Sequence, residues 1–128
     1  MPKYDVVLIH PPAIYDFRTK TLFQGPLGAS IEQLQFTKVP IGMLSLADYL
    51  DRHGYKVKID NLGDRMVNDV SFDVEKHIRN LSAGIFAIGM HFQQHAPGAL
   101  AIARLCKQFH PHSPVVLGGL TATCFHEE

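Results

Sequence analysis

The stretch Val115-Val116-Leu117-Gly118-Gly119-Leu120-Thr121-Ala122-Thr123 constrains this chain most: a short β-branched run stops at two glycines and small residues follow. A continuous apolar run of this kind reads as a strand covered on both faces. Glycines at its end let the backbone take φ > 0 or let another group approach closely. In an open parallel α/β sheet, ligands bind in the crevice outside the carboxyl ends of the strands. Gly118 and Gly119 therefore stand where a ligand would be, provided the rest of the chain is α/β. A strand-to-helix turn also needs glycine simply to turn. Thr121 and Thr123 could bond a polar ligand or cap the next helix.

The rest of the chain supplies the alternation. Asp5 to His10 is a short apolar strand stopped by Pro11-Pro12. Residues 11–39 carry no sustained periodicity and several Pro and Gly, which predicts a long loop of the kind that is usually functional. Pro40 opens a helix at a position where its missing N–H is harmless. Its inward face is Ile41, Leu44, Ala47 and Leu50, widened by Met43 and Leu46, and Gly54 stops it. Lys56 to Asp60 alternates polar and apolar, so it is a half-exposed strand near an edge. Residues 72–82 predict a weaker helix with Ser71 as its N-cap and Val74, Ile78 and Leu81 inward. Ile85 to Met90 is a central strand. A third helix carries Ala99, Ile102, Ala103, Cys106 and Phe109 inward, and Val115 begins the fourth strand. Strict β-α alternation with right-handed crossovers makes a parallel sheet with helices on both faces. The expected order is 2-1-3-4, with strand one central.

Composition removes several classes of function. The 128 residues make one domain with a core. Twelve basic and twelve acidic residues cancel, so neither nucleic acid nor an anionic membrane is an expected partner. No apolar run approaches a membrane span, and Val6 to Ile9 is too short for a signal-peptide core. Cys106 and Cys124 form neither a metal spacing nor a disulfide framework, and a reducing cytoplasm is the expected compartment. No G-x-G-x-x-G follows strand one and no P-loop is present.

Eight histidines need an account. His10, His91 and His95 follow strand ends and belong to the ligand edge of the sheet, and His126 could join them. His53, His110 and His112 follow helices at the opposite edge, and His77 lies within the second helix. The plainest expectation is solvated loop histidines and helix C-terminal cations. His91-x-x-x-His95 has the spacing of metal ligands on a helix, but it straddles a strand end and a loop with no Glu between, so no metal site is expected.

Taken in order, these features resemble a known family. The residues that carry the resemblance are Pro11-Pro12 after strand one, then a long loop, then Pro40-Ile41-Gly42-x-x-x-Leu46-Ala47-x-x-Leu50-x-x-x-Gly54-Tyr55-x-Val57. Ala99-Leu100-Ala101 follows the third strand, and Val116-Leu117-Gly118-Gly119-Leu120-Thr121-Ala122-Thr123 is followed by Glu127-Glu128. Together they resemble the N-terminal cobalamin-binding domain of cobalamin-dependent radical S-adenosylmethionine enzymes, a group that includes proteins described as magnesium-protoporphyrin IX monomethyl ester oxidative cyclases. The resemblance implies a flavodoxin-like domain with a sheet in the order 2-1-3-4-5, so residues 1–128 would be an N-terminal fragment lacking the fifth strand. It implies a corrinoid lying across the carboxyl edge, its nucleotide tail sliding between the sheet and neighbouring helices. Gly118 and Gly119 would lie beside the tail, with Thr121 and Thr123 just after it. Pro11 and Pro12 would match the family's loop after strand one, and Gly89, Met90 and His91 replace the S-x-L of the wider superfamily.

That superfamily also carries D-x-H-x-x-G after strand one, whose His replaces the nucleotide base on cobalt. The motif is absent here: Asp51-Arg52-His53 begins like it but ends a helix at the wrong edge. The expectation is cobalamin held without a protein histidine ligand. No C-x-x-x-C-x-x-C is present, so S-adenosylmethionine and an iron–sulfur cluster would belong to a C-terminal radical domain outside this chain. The chain alone would be non-catalytic, positioning the cofactor for methyl transfer or rearrangement by that domain. Two other readings stay open: a degenerate flavodoxin-like interaction domain that binds no corrinoid, and a small α/β enzyme with a histidine site on the ligand edge.

Overall fold

The computed structural model describes residues 1–19 and 38–127. Most of the predicted loop over 11–39 thus lies outside the described residues. The elements are β1 (Tyr4–His10), α1 (Ile41–Arg52), β2 (Val57–Asn61), α2 (Leu62–Asn68), α3 (Val74–Asn80), β3 (Ala83–Gly89), a single 3-10 turn (Gln93–His95), α4 (Ala96–Phe109), β4 (Val115–Gly118) and α5 (Leu120–Cys124). The four strands form one parallel sheet in the order β2-β1-β3-β4, as expected, and the architecture is flavodoxin-like α/β.

Register sorts the sheet into two unlike faces. Val7 and Ile9 of β1 pair with Phe86 and Ile88 of β3, and these side chains are buried in the main core. The helices close that face with Leu62 and Met66 of α2, Val74 and Ile78 of α3, and Ala99, Ile102 and Cys106 of α4. Burial pushes the Cys106 thiol up to about 12, so it packs as a small apolar group. On the other face, Leu8, Ala87 and Val116 form a row across three strands, followed toward the carboxyl edge by Gly89 beside Gly118.

That second face departs from expectation twice. The inward stripe of α1 is not buried: no α1 residue is, and Ile41 is 82% exposed. The sheet beneath presents Ala87, Gly89 and Gly118, whose small size leaves a gap where a core was expected, crossed by the end of the Met43 side chain. β4 is covered on one face only. Val115 and Leu117 are half-buried on the α4 side, while Val116 is 51% exposed.

Smaller corrections concern the segment after β2. α2 was not anticipated, being only seven residues long; the Asn61 side chain caps it by accepting from the Asp64 N–H at 3.1 Å. The N-cap of α3 is Asp73, which accepts from the Lys76 N–H, and Ser71 instead donates to Asp69 at 2.6 Å. Gly54 ends α1 with φ of 85°, as expected. Asp60, expected on a solvated strand, is fully buried. It accepts from Arg65 Nε at 2.8 Å and lies 2.5 Å from His77 Nε2, with Lys58 Nζ at 3.5 Å. Burial by itself would raise its carboxyl; the His77 hydrogen bond and the charges of His77, Lys58 and Arg65 outweigh it, and the pKa is lowered.

Candidate functional site

The gap under α1 is a groove of about 530 Å³ that opens at the carboxyl edge of the sheet. Its floor is the row Leu8, Ala87 and Val116 with Gly89 and Gly118. Its wall is the start of α1, chiefly Ile41, Met43 and Leu46, with Lys38, Val39 and Pro40 leading in. Met90, His91, Phe92, His95 and Gly119 close the end at the carboxyl edge. An apolar groove with a few polar groups at a sheet's carboxyl edge is the usual form of a small-molecule site in such folds.

The two glycines after β4 do different things. A β-carbon on Gly118 would meet nothing within 4 Å, so Gly118 leaves room in the groove. Gly119 has φ of 109°, and a β-carbon there would stand 2.6 Å from the Met90 carbonyl oxygen. Gly119 therefore serves the turn: it lets the Met90 N–H donate to the Gly118 carbonyl at 2.6 Å and the Thr121 N–H donate to the Met90 carbonyl at 3.2 Å. The threonines are engaged with backbone as well. The Thr121 hydroxyl is buried and donates to the His91 carbonyl at 3.3 Å, and the Thr123 hydroxyl donates to the Gly119 carbonyl at 3.0 Å.

Pro11 and Pro12 are buried and do not line the groove. They pack on the first turn of α4, where the Gly98 N–H donates to the Ala13 carbonyl at 2.9 Å. A β-carbon at Gly98 would collide with the Pro12 carbonyl oxygen, so that glycine allows the closest backbone approach near the site.

Two of the ligand-edge histidines are not the solvated residues expected. His10 and His95 are both buried, with ring centroids 5.3 Å apart in an edge-to-face arrangement. The Phe92 N–H donates to His95 Nδ1 at 3.3 Å, which requires that nitrogen to be unprotonated. Burial first, then the neighbouring His10 and His91, pushes the His95 pKa down to about 4, so its imidazole is neutral at physiological pH. His91 stays half-exposed against Phe92, with ring centroids 4.4 Å apart. Several of the remaining histidines bond the scaffold. His53 Nδ1 lies 2.7 Å from the Tyr49 carbonyl at the far end of α1, and His110 Nε2 lies 2.8 Å from the Ile78 carbonyl, while His126 is exposed. Among the described residues no group of three potential ligands could hold a metal ion, and no helix is long and apolar enough to cross a membrane.

Of the residues singled out from sequence, the groove brings together Gly89, Met90, His91, Gly118 and Gly119. Thr121 and Thr123 stand just behind it, and Pro11 and Pro12 lie to one side. Leu8, Met43, Leu46, Phe92 and Lys38 were not anticipated. One signal was available: Ala87 and Gly89 lie two apart in β3, so both small residues fall on one face.

Fold and groove define a class, the parallel α/β domain that binds a small molecule at its carboxyl edge. Residues 30–128 match the family model of the B12 binding domain, and the chain belongs to that family. No curated protein and no solved structure matches it. The residues present fit cobalamin: a flat apolar tail suits an apolar groove, and Gly118 keeps open a space that a β-carbon would fill.

Proposed function

We propose that this chain is the cobalamin-holding module of a radical S-adenosylmethionine enzyme, residues 1–128 being one domain of a longer protein that works in the cytoplasm. The observation that carries the reading is the groove floored by Ala87, Gly89 and Gly118 at the carboxyl edge. The ordered motifs from Pro11-Pro12 to Thr123 add the link to radical enzymes.

In this reading Ala87, Val116 and Gly118 receive the nucleotide tail and exclude water from it. Gly89, Met90 and His91 border the corrin rim, and Gly119 sets the turn that keeps Met90 and His91 in place. The Pro11-Pro12 segment, fixed on α4 at Gly98, sets the direction in which the chain leaves β1. Cobalamin supplies a cobalt centre that can carry a methyl group or a reactive carbon, chemistry that side chains lack. The partner domain, holding S-adenosylmethionine and an iron–sulfur cluster, would face that ring. In this reading no histidine of this chain would serve as a ligand to cobalt; the absence of D-x-H-x-x-G and the packing of His10 against His95 support it.

Titration with hydroxocobalamin, followed by gel filtration and absorbance, tests the reading. Retained corrinoid in the wild type and none in Gly118→Leu is the expected result. No retention by folded wild type at high micromolar cobalamin would leave a flavodoxin-like interaction domain. The link to radical chemistry is tested separately, by looking for a cysteine triad in the reading frame beyond Glu128.

A further inference from the structure

The groove is apolar along its floor and wall, yet one of its described lining residues is a lysine. Lys38 is that residue, and among the described residues no carboxylate lines the groove. Among the described residues no ion pair engages Lys38. It lies just before Pro40, which caps the start of α1. In a parallel α/β unit each helix starts at the carboxyl edge, so Lys38 stands at the mouth rather than in the depth of the groove. Deeper in, the lining offers Leu8, Ala87 and Val116, with a neutral imidazole at His95. The groove is thus a neutral slot with a cation at its entrance.

We propose that Lys38 is a specificity-determining residue, pairing its ammonium with the phosphodiester of the nucleotide tail. The proposal rests on the cobalamin reading above. The tail of a complete corrinoid is an apolar heterocycle tethered to the ring through a ribose and a phosphodiester. With the heterocycle in the slot and the ring outside, the phosphate falls at the entrance. An anion there meets a positive charge on a flexible four-carbon stem that can follow it. A corrinoid without its nucleotide offers neither group, so the same residue should separate complete from incomplete corrinoids.

The test compares cobalamin with cobinamide, which lacks the nucleotide, in spectral titrations of the wild-type protein, Lys38→Met and Lys38→Arg. Lys38 is exposed, so its removal should weaken cobalamin about three- to fivefold at low salt, the range of an exposed ion pair. Lys38→Arg should restore affinity. Cobinamide should not be weakened by either substitution. Raising salt to about 0.5 M should erode the wild-type advantage and leave Lys38→Met unmoved, because screening acts on the pair alone. Unchanged cobalamin affinity in Lys38→Met, or equal weakening of both corrinoids, would overturn the proposal while leaving the groove as a corrinoid site. Failure of the wild type to bind either corrinoid would instead overturn the cobalamin reading, and this proposal with it.

Discussion

Met43 of α1 lies over Gly89 of β3, so that a β-carbon at Gly89 would stand 2.9 Å from the Met43 methyl carbon. The contact crosses the groove. It shows that the glycine accommodates a side chain from the opposite wall, and that the crossing atom is the movable end of a thioether.

Substitutions on the floor should therefore separate binding from stability. Gly118→Leu projects into open space, and Gly89→Ala displaces only the end of Met43. Both should lower cobalamin binding, the first to below detection, with thermal midpoints close to wild type. Gly119→Leu forces a side chain onto φ of 109° and against the Met90 carbonyl, and should lose about 2 kcal/mol or more. Cobalamin retention and thermal melts of the three variants together check this. A Gly119→Leu protein as stable as wild type would contradict the assignment of that glycine to the turn.

Gly98→Ala should be among the most damaging single-methyl changes in the domain. Its β-carbon would collide with the Pro12 carbonyl and stand 2.9 Å from the Ala13 carbonyl, and backbone cannot step aside as a side chain can. A loss of about 3 kcal/mol, near the upper end for overpacking, is expected in urea unfolding. Gly42→Ala is the control: nothing lies within 4 Å of that position on α1, so the change should be neutral or stabilise by about 0.5–1 kcal/mol.

Two groups should give stability two acid-sensitive windows. His95 has a folded pKa of about 4, against about 6.5 when unfolded. Between those values the unfolded chain takes up a proton that the fold refuses. Stability is full above about pH 6.5, falls as pH drops toward 4, and then levels, a loss of up to about 3 kcal/mol. The Asp60 carboxyl is held below its unfolded value near 3.9. Its contribution is present above that value and is lost as pH falls through the folded pKa. Urea unfolding from pH 7.5 to 3 should show both windows, with His95→Gln flattening the upper and Asp60→Asn the lower. Asp60→Asn should also lose about 3 kcal/mol at neutral pH by breaking a buried ion cluster. An upper slope that survives in His95→Gln would rule out that residue as its source.

Electron paramagnetic resonance of the bound cob(II)alamin form should show no nitrogen splitting from a histidine. His10 points into the fold and directly precedes Pro11, whose ring restricts the backbone before it. A splitting present in wild type and abolished by His10→Ala or His91→Ala would place that imidazole on cobalt.

Strand order could be read from the chain because β-α alternation and right-handed crossovers leave few arrangements, and because Lys56 and Lys58 marked β2 as an edge. The groove could not. Periodicity says which α1 residues share a face, but not how far that face stands from a sheet whose residues are small. Gly118 and Gly119 look alike as letters, and only the sign of φ at Gly119 separates a turn glycine from a spacer. His10 and His95 meet because the end of β1 and the 3-10 turn after β3 lie at the same edge of the sheet, a closeness that sequence separation conceals. Asp60 read as a solvated strand residue because its partners Arg65 and His77 come from helices that a strand pattern does not announce.

The open space under α1 also distributes rigidity unevenly. A helix that buries none of its side chains is held by its ends and by β2, whereas α4 is bound through a packed apolar stripe. Amide exchange in α1 should therefore report local opening, and exchange in α4 and β3 the global unfolding of the domain. A ligand tail in the groove would give α1 the apolar surface it now lacks. The cofactor would then be a removable piece of the hydrophobic interior, and the protection of α1 would rise with the logarithm of its concentration.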